Sequence, residues 1–133
     1  MGSKAEFEAQ LETGEVHEFN LDTVRLLEPL YYAVFTDCTF TDIEFICEEI
    51  TQCKFLDCTF LRCKFNSLKI ADCSFEQCRF YDQESEQGCE FKFSSFAGTT
   101  FRQCDLSMNN FSRSNLYRTE IRNCQAQGSD MSH

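Results

Sequence analysis

The sequence predicts an all-β solenoid in which each coil has four faces of five residues, and two periodicities support this prediction. Apolar residues recur every five positions in two runs of consecutive centres, from Phe35 to Phe80 and from Phe91 to Met131. A helix turns by about 100° per residue and a strand alternates its faces at every residue, so neither element directs a period of five toward one interior. The chain must therefore turn once in every repeat.

A second period, of twenty residues, gives the number of faces in each coil. Ile50 and Ile70 are the only centres of the first run that are not phenylalanine, and they lie twenty residues apart. Cys38 and Cys58 repeat at the same distance in the small slot, the position two residues before a centre. Because residues stacked in successive coils share an environment, this period predicts four faces. The expected core is a ladder of the centres Phe35, Phe40, Phe45, Phe55, Phe60, Phe65, Phe75, Phe80, Phe91, Phe101 and Phe111.

The N-terminal segment, residues 1–30, is less regular and predicts a cap with an imperfect first coil, followed by the solenoid over residues 31–133. Ser3 is a favourable N-cap for a short helix from Lys4 to Thr13, and Gly14 suits the left-handed position that ends such a helix. A segment of this kind covers backbone groups that an open first coil leaves unpaired.

Both ends of the repeat array are imperfect. The first coil begins near Val16 and joins the main run out of phase around Pro29. The sequence stops at His133, inside a repeat and without a capping helix. Since a bare solenoid edge offers unpaired backbone groups, we expect either further coils beyond His133 or an end-to-end homodimer.

An insertion interrupts the repeat between Phe80 and Phe91, where the spacing is eleven residues. Residues 81–88, YDQESEQG, are polar and acidic, which predicts a loop that projects from the solenoid. Insertions in repeat arrays often mark a binding face, although excursions without a function are also common. The residues that we predict to contact a partner are Tyr81, Asp82, Glu84 and Glu86.

The net charge is -10, from 22 acidic and 12 basic side chains, which disfavours direct binding to nucleic acid. Residues 1–28 carry -5, residues 29–88 carry -6 and residues 89–133 carry +1. Two interpretations are open: outward carboxylates imitate a DNA phosphate backbone, or they keep a phenylalanine-rich solenoid in solution. No apolar run approaches the roughly 18 residues of a membrane span and no signal peptide is recognisable, which predicts a cytoplasmic protein.

Nine of the ten cysteines occupy small slots, which favours a packing role for their compact, apolar side chains. The spacing of Cys53, Cys58 and Cys63 is compatible with zinc, but these thiols belong to different faces and a tetrahedral site needs four converging ligands. We therefore predict no metal, and a reducing compartment disfavours disulfides. Cys47 lies outside the small slot and is predicted to face solvent as the most reactive thiol. Glu48 takes the inward slot there, which requires a distorted coil or a partner for its carboxylate.

The sequence offers little to build an enzyme on. His17 and His133 are the only histidines, one in the irregular cap and one at the last position. No nucleophile, base and orienting group come together by the usual criteria, so we predict neither catalysis nor a cofactor.

The five-residue pattern resembles the pentapeptide-repeat proteins, whose motif places a small residue two positions before a central Leu or Phe. The resemblance covers residues 33–131. It implies a right-handed quadrilateral β-helix with tight turns at the corners.

Residues 76–130 are also similar to the quinolone-resistance pentapeptide proteins of the Qnr type. The segments that carry this similarity are CRFYDQESEQGCEF from Cys78, CDLSM from Cys104 and EIRNCQAQGSD from Glu120. The resemblance implies a non-catalytic DNA mimic that binds DNA gyrase or topoisomerase IV and protects it from quinolones, with projecting loops contributing to the contact. The alternatives are a generic repeat scaffold that binds another protein and, as a third class, a redox or metal sensor built on the cysteines.

Overall fold

The computed structural model describes residues 2–132 and shows one helix followed by a β-solenoid. The one helix within these residues has ten residues, too few for a membrane span. Helix α1 spans Lys4–Thr13. In chain order, the strands are β1 (Glu15–His17), β2 (Asn20–Asp22), β3 (Arg25–Leu26), β4 (Leu30–Tyr31), β5 (Val34–Thr36), β6 (Thr39–Thr41), β7 (Glu44–Phe45), β8 (Glu49–Thr51), β9 (Lys54–Leu56), β10 (Thr59–Leu61), β11 (Lys69–Ala71), β12 (Ser74–Glu76), β13 (Tyr81–Asp82), β14 (Gln87–Gly88), β15 (Thr100–Arg102) and β16 (Glu120–Arg122).

Apart from β13 and β14, the strands stack in parallel, coil on coil, into four columns that we number as faces 1 to 4 in chain order. Face 1 is a six-stranded sheet in the order β1-β5-β9-β12-β15-β16. Face 2 contains β2, β6 and β10, face 3 contains β3 and β7, and face 4 contains β4, β8 and β11. Isolated parallel bridges, such as that between Glu90 and Asn110, continue these faces into later coils. Phe35 pairs with Phe55, twenty residues on, which confirms the four-faced coil.

The repeat centres fill the interior, and all eleven phenylalanines expected there are buried. Along faces 1 to 3, the rings of successive coils stack with centroids 4.4 to 5.0 Å apart and planes 2 to 10° apart. On face 4 the column begins with Leu30, Ile50 and Ile70 instead. Burial of each large apolar side chain contributes about 2 kcal/mol, so this ladder is the main source of stability.

The N-terminal helix has the predicted boundaries and caps. The Ser3 hydroxyl accepts from the Glu6 amide at 3.1 Å, and the Glu6 carboxylate accepts from the Ser3 amide at 3.1 Å. Gly14 ends the helix with a left-handed φ of 85°. Phe7, which lies outside the five-residue pattern, is fully buried and places its ring centroid 5.6 Å from that of Phe19. The helix therefore covers the open end of the first coil with one aromatic side chain.

The first coil is one residue short, as its sequence predicts. Val16 pairs with Phe35, nineteen residues later, whereas Leu30 pairs with Ile50 at the regular distance of twenty. The change of phase therefore falls before Leu30, in the segment around Pro29.

The prediction that Cys47 faces solvent is wrong. Cys47 is 0% exposed, while Glu48 is exposed and left-handed with a φ of 71°. In a regular repeat the left-handed residue lies three positions before the centre, as Gln52 does before Phe55. The corner before Ile50 is displaced by one residue, so the coil is locally distorted. This is the first of the two alternatives that the sequence left open for Glu48. Burying a carboxylate costs more than displacing a corner, so the thiol turns inward.

All ten cysteines are free thiols, nine of them buried and Cys124 half-buried. The cysteines in the small slot before face 2 donate hydrogen bonds to backbone carbonyl groups of the preceding coil. For example, the Cys58 thiol donates to the Phe35 carbonyl oxygen at 3.5 Å. Burial raises the pKa of Cys47 to about 11 and holds the pKa of Cys63 well above its ordinary value. The raised pKa values keep the thiols of Cys47 and Cys63 protonated, and therefore weakly nucleophilic, at neutral pH.

Candidate partner-binding site

The insertion forms a hairpin, residues 81–88, at the corner between faces 2 and 3. Strands β13 and β14 pair in antiparallel fashion, and residues 83–86 form the exposed turn between them. On face 1, Phe75 in the coil before the hairpin pairs with Phe101 in the coil after it. These two residues are twenty-six positions apart instead of the regular twenty, so the hairpin adds six residues to one coil. The solenoid continues beneath it in register, and the hairpin is an excursion from an intact rod.

Gly88 lets the hairpin return closely against the next coil. A Cβ at this position would overlap the backbone carbonyl of Met108. The base of the hairpin therefore packs directly on the backbone of the solenoid, and glycine is required there.

Arg62 joins three successive coils at the corner from which the hairpin projects. Its Nε lies 2.9 Å from Asp42 Oδ1 and its Nη2 lies 3.1 Å from Asp42 Oδ2, a bidentate pair. Its Nη1 donates to Asp82 Oδ2 in the hairpin. The pKa of Arg62 is raised above its ordinary value, chiefly by the hydrogen bond to the Asp42 carboxylate. A planar guanidinium suits this geometry because its donors are fixed relative to one another.

Asp82 faces inward and organises the turn. It is 7% exposed, and its carboxylate accepts from the Glu84 amide at 3.1 Å and from the Ser85 hydroxyl at 2.8 Å. The Ser85 hydrogen bond, followed by the Glu84 amide and the Arg62 charge, holds the pKa of Asp82 below its usual value. Of the predicted contact residues, Tyr81 is half-buried, while Glu84 and Glu86 are exposed. The carboxylates of Glu84 and Glu86 are therefore exposed to solvent, whereas the carboxylate of Asp82 holds the turn together.

Sequence reasoning did not single out Arg62 or Asp42. The sequence nevertheless contains a pattern that predicts their contact, because Asp42, Arg62 and Asp82 are spaced at the twenty-residue period of the coil. That period places the three side chains in one corner column, with the positive charge between two negative charges.

Two recesses open on face 2 beside the hairpin and meet beneath Gln83. Their volumes are about 570 and 350 Å³. Met108, 50% exposed, supplies an apolar spot in the smaller one. The hairpin and these recesses offer a partner a polar surface with projecting carboxylates. Residues that line the recesses include Gln77, Arg79, Gln103, Asp105, Gln125 and Gln127.

Acidic residues also form a column at the corner between faces 1 and 2. Glu18, Asp37 and Asp57 adopt left-handed φ angles of 50°, 55° and 54° in successive coils. Gln77 and Gln103 continue this column with amide groups, whose side chains hydrogen bond at 3.3 Å. The outward carboxylates of the column therefore lie in the coils that precede the hairpin.

Comparison with known proteins supports the fold and the resemblance. Residues 94–132 match the family model described as pentapeptide repeats, in eight copies. A curated relative, "Pentapeptide repeat protein QnrB4" of Escherichia coli, is 48% identical over 50 residues, which cover 38% of this chain and 23% of that protein.

Two solved structures are similar in fold. Full-length QnrB1, described as a plasmid-mediated fluoroquinolone resistance protein, has a TM-score of 0.61 at 29% identity, over 90% of this chain and 48% of QnrB1. The pentapeptide repeat protein Rfr23 from the cyanobacterium Cyanothece 51142 has a TM-score of 0.67 at 11% identity, over 96% of this chain and 99% of Rfr23, and shows the fold alone.

The chain spans about a quarter of the curated relative QnrB4 and about half of QnrB1. The stacked four-faced coils, the matching repeats and these relatives agree with one another. The chain is a four-faced β-solenoid that resembles the pentapeptide-repeat proteins and, among them, the Qnr-type quinolone-resistance proteins.

Proposed function

We propose that this protein binds a type II topoisomerase, DNA gyrase or topoisomerase IV, without catalysis and protects it from quinolones. The observation that carries the proposal is the hairpin, which displays Glu84 and Glu86 while Arg62 ties its base to the rod. The names of the relatives support it, since QnrB1 is described as a fluoroquinolone resistance protein.

The geometry supports a DNA-mimicking contact. Coils stack at about 4.8 Å, so carboxylates in one corner column form a regular row of negative charge, somewhat wider in spacing than the phosphates of one DNA strand, which repeat about every 3.4 Å along the axis. Glu18, Asp37 and Asp57 form such a column, and the hairpin adds further negative charge at the next corner. A basic groove that accepts DNA is complementary to this surface, and a rigid rod loses little conformational freedom on binding. Such a partner places the protein in the cytoplasm, and its own charge keeps it from binding DNA directly.

A binding measurement with immobilised gyrase and topoisomerase IV tests this proposal. The comparison variant lacks residues 82–87, which returns Phe80 and Phe91 to the five-residue spacing. Gly88 then occupies the left-handed corner, where glycine is favourable, so the variant should keep the fold. Circular dichroism and thermal unfolding check this.

We expect the intact protein to bind and the deletion variant to bind at least about tenfold more weakly, a loss of 1.4 kcal/mol. Binding should also weaken as salt is raised, because its attraction is electrostatic. Failure of the folded, intact protein to bind either enzyme rejects the proposed partner. Equal affinity of the two forms would mean that the hairpin is not the contact and would favour another face of the solenoid.

A further inference from the structure

We propose that His17, Glu18 and Asp37 form a binding site for a divalent transition-metal ion, such as Zn²⁺ or Ni²⁺, near the N-terminal end of the solenoid. One imidazole nitrogen and one oxygen from each carboxylate lie within 4.8 Å of one another. All three side chains are exposed, so an ion has direct access from solvent. The site shares Glu18 and Asp37 with the acidic column of the proposed topoisomerase contact, so an ion bound here would reduce the negative charge of that column, but its test requires no topoisomerase.

The distances suit a tetrahedral ion. His17 Nε2 lies 3.4 Å from Glu18 Oε1. Zinc binds nitrogen and oxygen ligands at about 2.0–2.2 Å, and the edge of a tetrahedron with such bonds is about 3.4 Å. The third oxygen, from Asp37, lies within reach of a small rotation of an exposed carboxylate. Three protein ligands leave the fourth position to water.

The fold fixes the positions from which these side chains project. His17 ends β1 on face 1, and Glu18 follows at the corner, where its amide donates to the Thr36 carbonyl at 2.9 Å. Asp37 occupies the same corner one coil later, and its amide donates to the Leu56 carbonyl at 3.0 Å. The two carboxylates therefore come from backbones held at the coil spacing of about 4.8 Å. A cation shared between them links the first coil to the second.

The charges of this corner also favour a cation. Two carboxylates, Glu18 and Asp37, contribute ligand atoms, whereas Asp57 continues the column one coil later and lies outside this set of ligands. Among residues 2–132, no lysine or arginine forms an ion pair with Glu18 or Asp37. The imidazole gives the donor set its selectivity, because nitrogen ligands suit Zn²⁺, Ni²⁺ and Cu²⁺, whereas Mg²⁺ and Ca²⁺ prefer oxygen alone.

Titration of the full chain with Co²⁺ and Zn²⁺ tests the site. Co²⁺ reports the geometry and donors through its visible spectrum, and calorimetry with Zn²⁺ gives stoichiometry and affinity. We expect one ion per chain, a tetrahedral Co²⁺ spectrum without a thiolate charge-transfer band, and a rise in unfolding temperature with Zn²⁺. His17→Ala and Asp37→Asn should each weaken binding at least about tenfold.

Two matched variants make the test decisive. His133→Ala removes the other histidine, and Asp57→Asn removes an equal charge from the same column; both should bind within about twofold of the parent chain. Unchanged binding in His17→Ala overturns the proposal. So does an equal loss in Asp57→Asn, which would indicate general attraction to an acidic surface. A thiolate band, or the absence of binding by the folded parent chain, overturns it as well.

Discussion

Phe60 lies in the middle of the ring ladder, so replacing it tests how much the stacked rings contribute to stability. Its ring centroid is 5.0 Å from that of Phe40 and 4.7 Å from that of Phe80. Phe60→Ala leaves a cavity that the stacked coils above and below cannot close, and should lower the free energy of unfolding by about 3–5 kcal/mol. Denaturant-induced unfolding measures this loss.

Phe93 provides the matched control for that substitution. It is 60% exposed at a corner, so Phe93→Ala should change the free energy of unfolding by less than about 0.5 kcal/mol. Similar losses for the two variants would contradict a core made of the repeat centres.

The thiols give a second prediction at the scale of single residues. Cys47 is 0% exposed and its pKa is raised to about 11 by burial, whereas Cys124 is half-buried near the end of its column. Burial also raises the pKa of Cys124, so exposure decides the order, and iodoacetamide under native conditions should alkylate Cys124 before Cys47. Mass spectrometry of partially labelled protein identifies the order, and equal or faster labelling of Cys47 would show that its corner opens.

The contrast between Cys47 and the other cysteines shows what a periodic pattern can predict. The small slot predicts an inward side chain wherever the repeat is regular, and the thiols of Cys38 and Cys58 are buried accordingly. At Glu48 the pattern puts a carboxylate inward, and the chain displaces the corner instead. The repeat pattern shows that Glu48 falls in an inward slot but does not show how the chain responds. The response depends on whether burying a carboxylate costs more free energy than placing a glutamate in the left-handed conformation.

At the scale of the hairpin, Arg62 should decide how firmly the loop is held. Arg62→Gln removes the charge that pairs with both Asp42 and the inward-facing Asp82, and leaves a partly buried carboxylate without its partner. We expect the protease Glu-C to cleave after Glu84 and Glu86 several-fold faster in this variant, as measured by mass spectrometry.

Arg79→Gln is the control for Arg62, because Arg79 is exposed on face 2 and forms no ion pair within residues 2–132. Its cleavage rate should match that of the parent chain. If Arg62→Gln cleaves no faster than Arg79→Gln, the turn is held by its own hydrogen bonds alone.

The titration of Asp82 follows from the same contacts. Its pKa in the folded protein is lowered, first by the Ser85 hydroxyl, so it lies below the unfolded value of about 3.9. The carboxylate therefore stabilises the hairpin fully above that value and loses this effect as the pH falls through its folded-state pKa. A carboxyl-carbon NMR titration should give a midpoint below about 3.9 that rises in Ser85→Ala; a midpoint at or above 3.9 in the parent chain would contradict the inward placement of Asp82.

The sequence reveals the position of the hairpin more readily than its internal contacts. The eleven-residue gap between Phe80 and Phe91 locates the insertion, and the acidic composition predicts that it projects. That Asp82 turns inward depends on Arg62, twenty residues earlier, and on Ser85, three residues later. Local composition does not distinguish Asp82 from the exposed Glu84, since all the loop acids look alike until the coils are stacked.

For the whole molecule, charge and shape act together. The N-terminal 88 residues carry a net charge of -11, while residues 89–133 carry +1. The four-faced coil, its ring ladder and the N-terminal helix all follow from periodicity and capping rules that the sequence displays. The identity of a partner does not, because a solenoid surface is built from side chains that the repeat leaves free.

The most direct test of the central claim is the supercoiling activity of DNA gyrase under inhibition by a quinolone. The intact protein is added in one series and the variant lacking residues 82–87 in another, with both confirmed as folded. We predict that the intact protein restores supercoiling in a concentration-dependent way and that the deletion variant does not. Absence of rescue by the intact, folded protein, or equal rescue by the variant, would contradict protection through the hairpin.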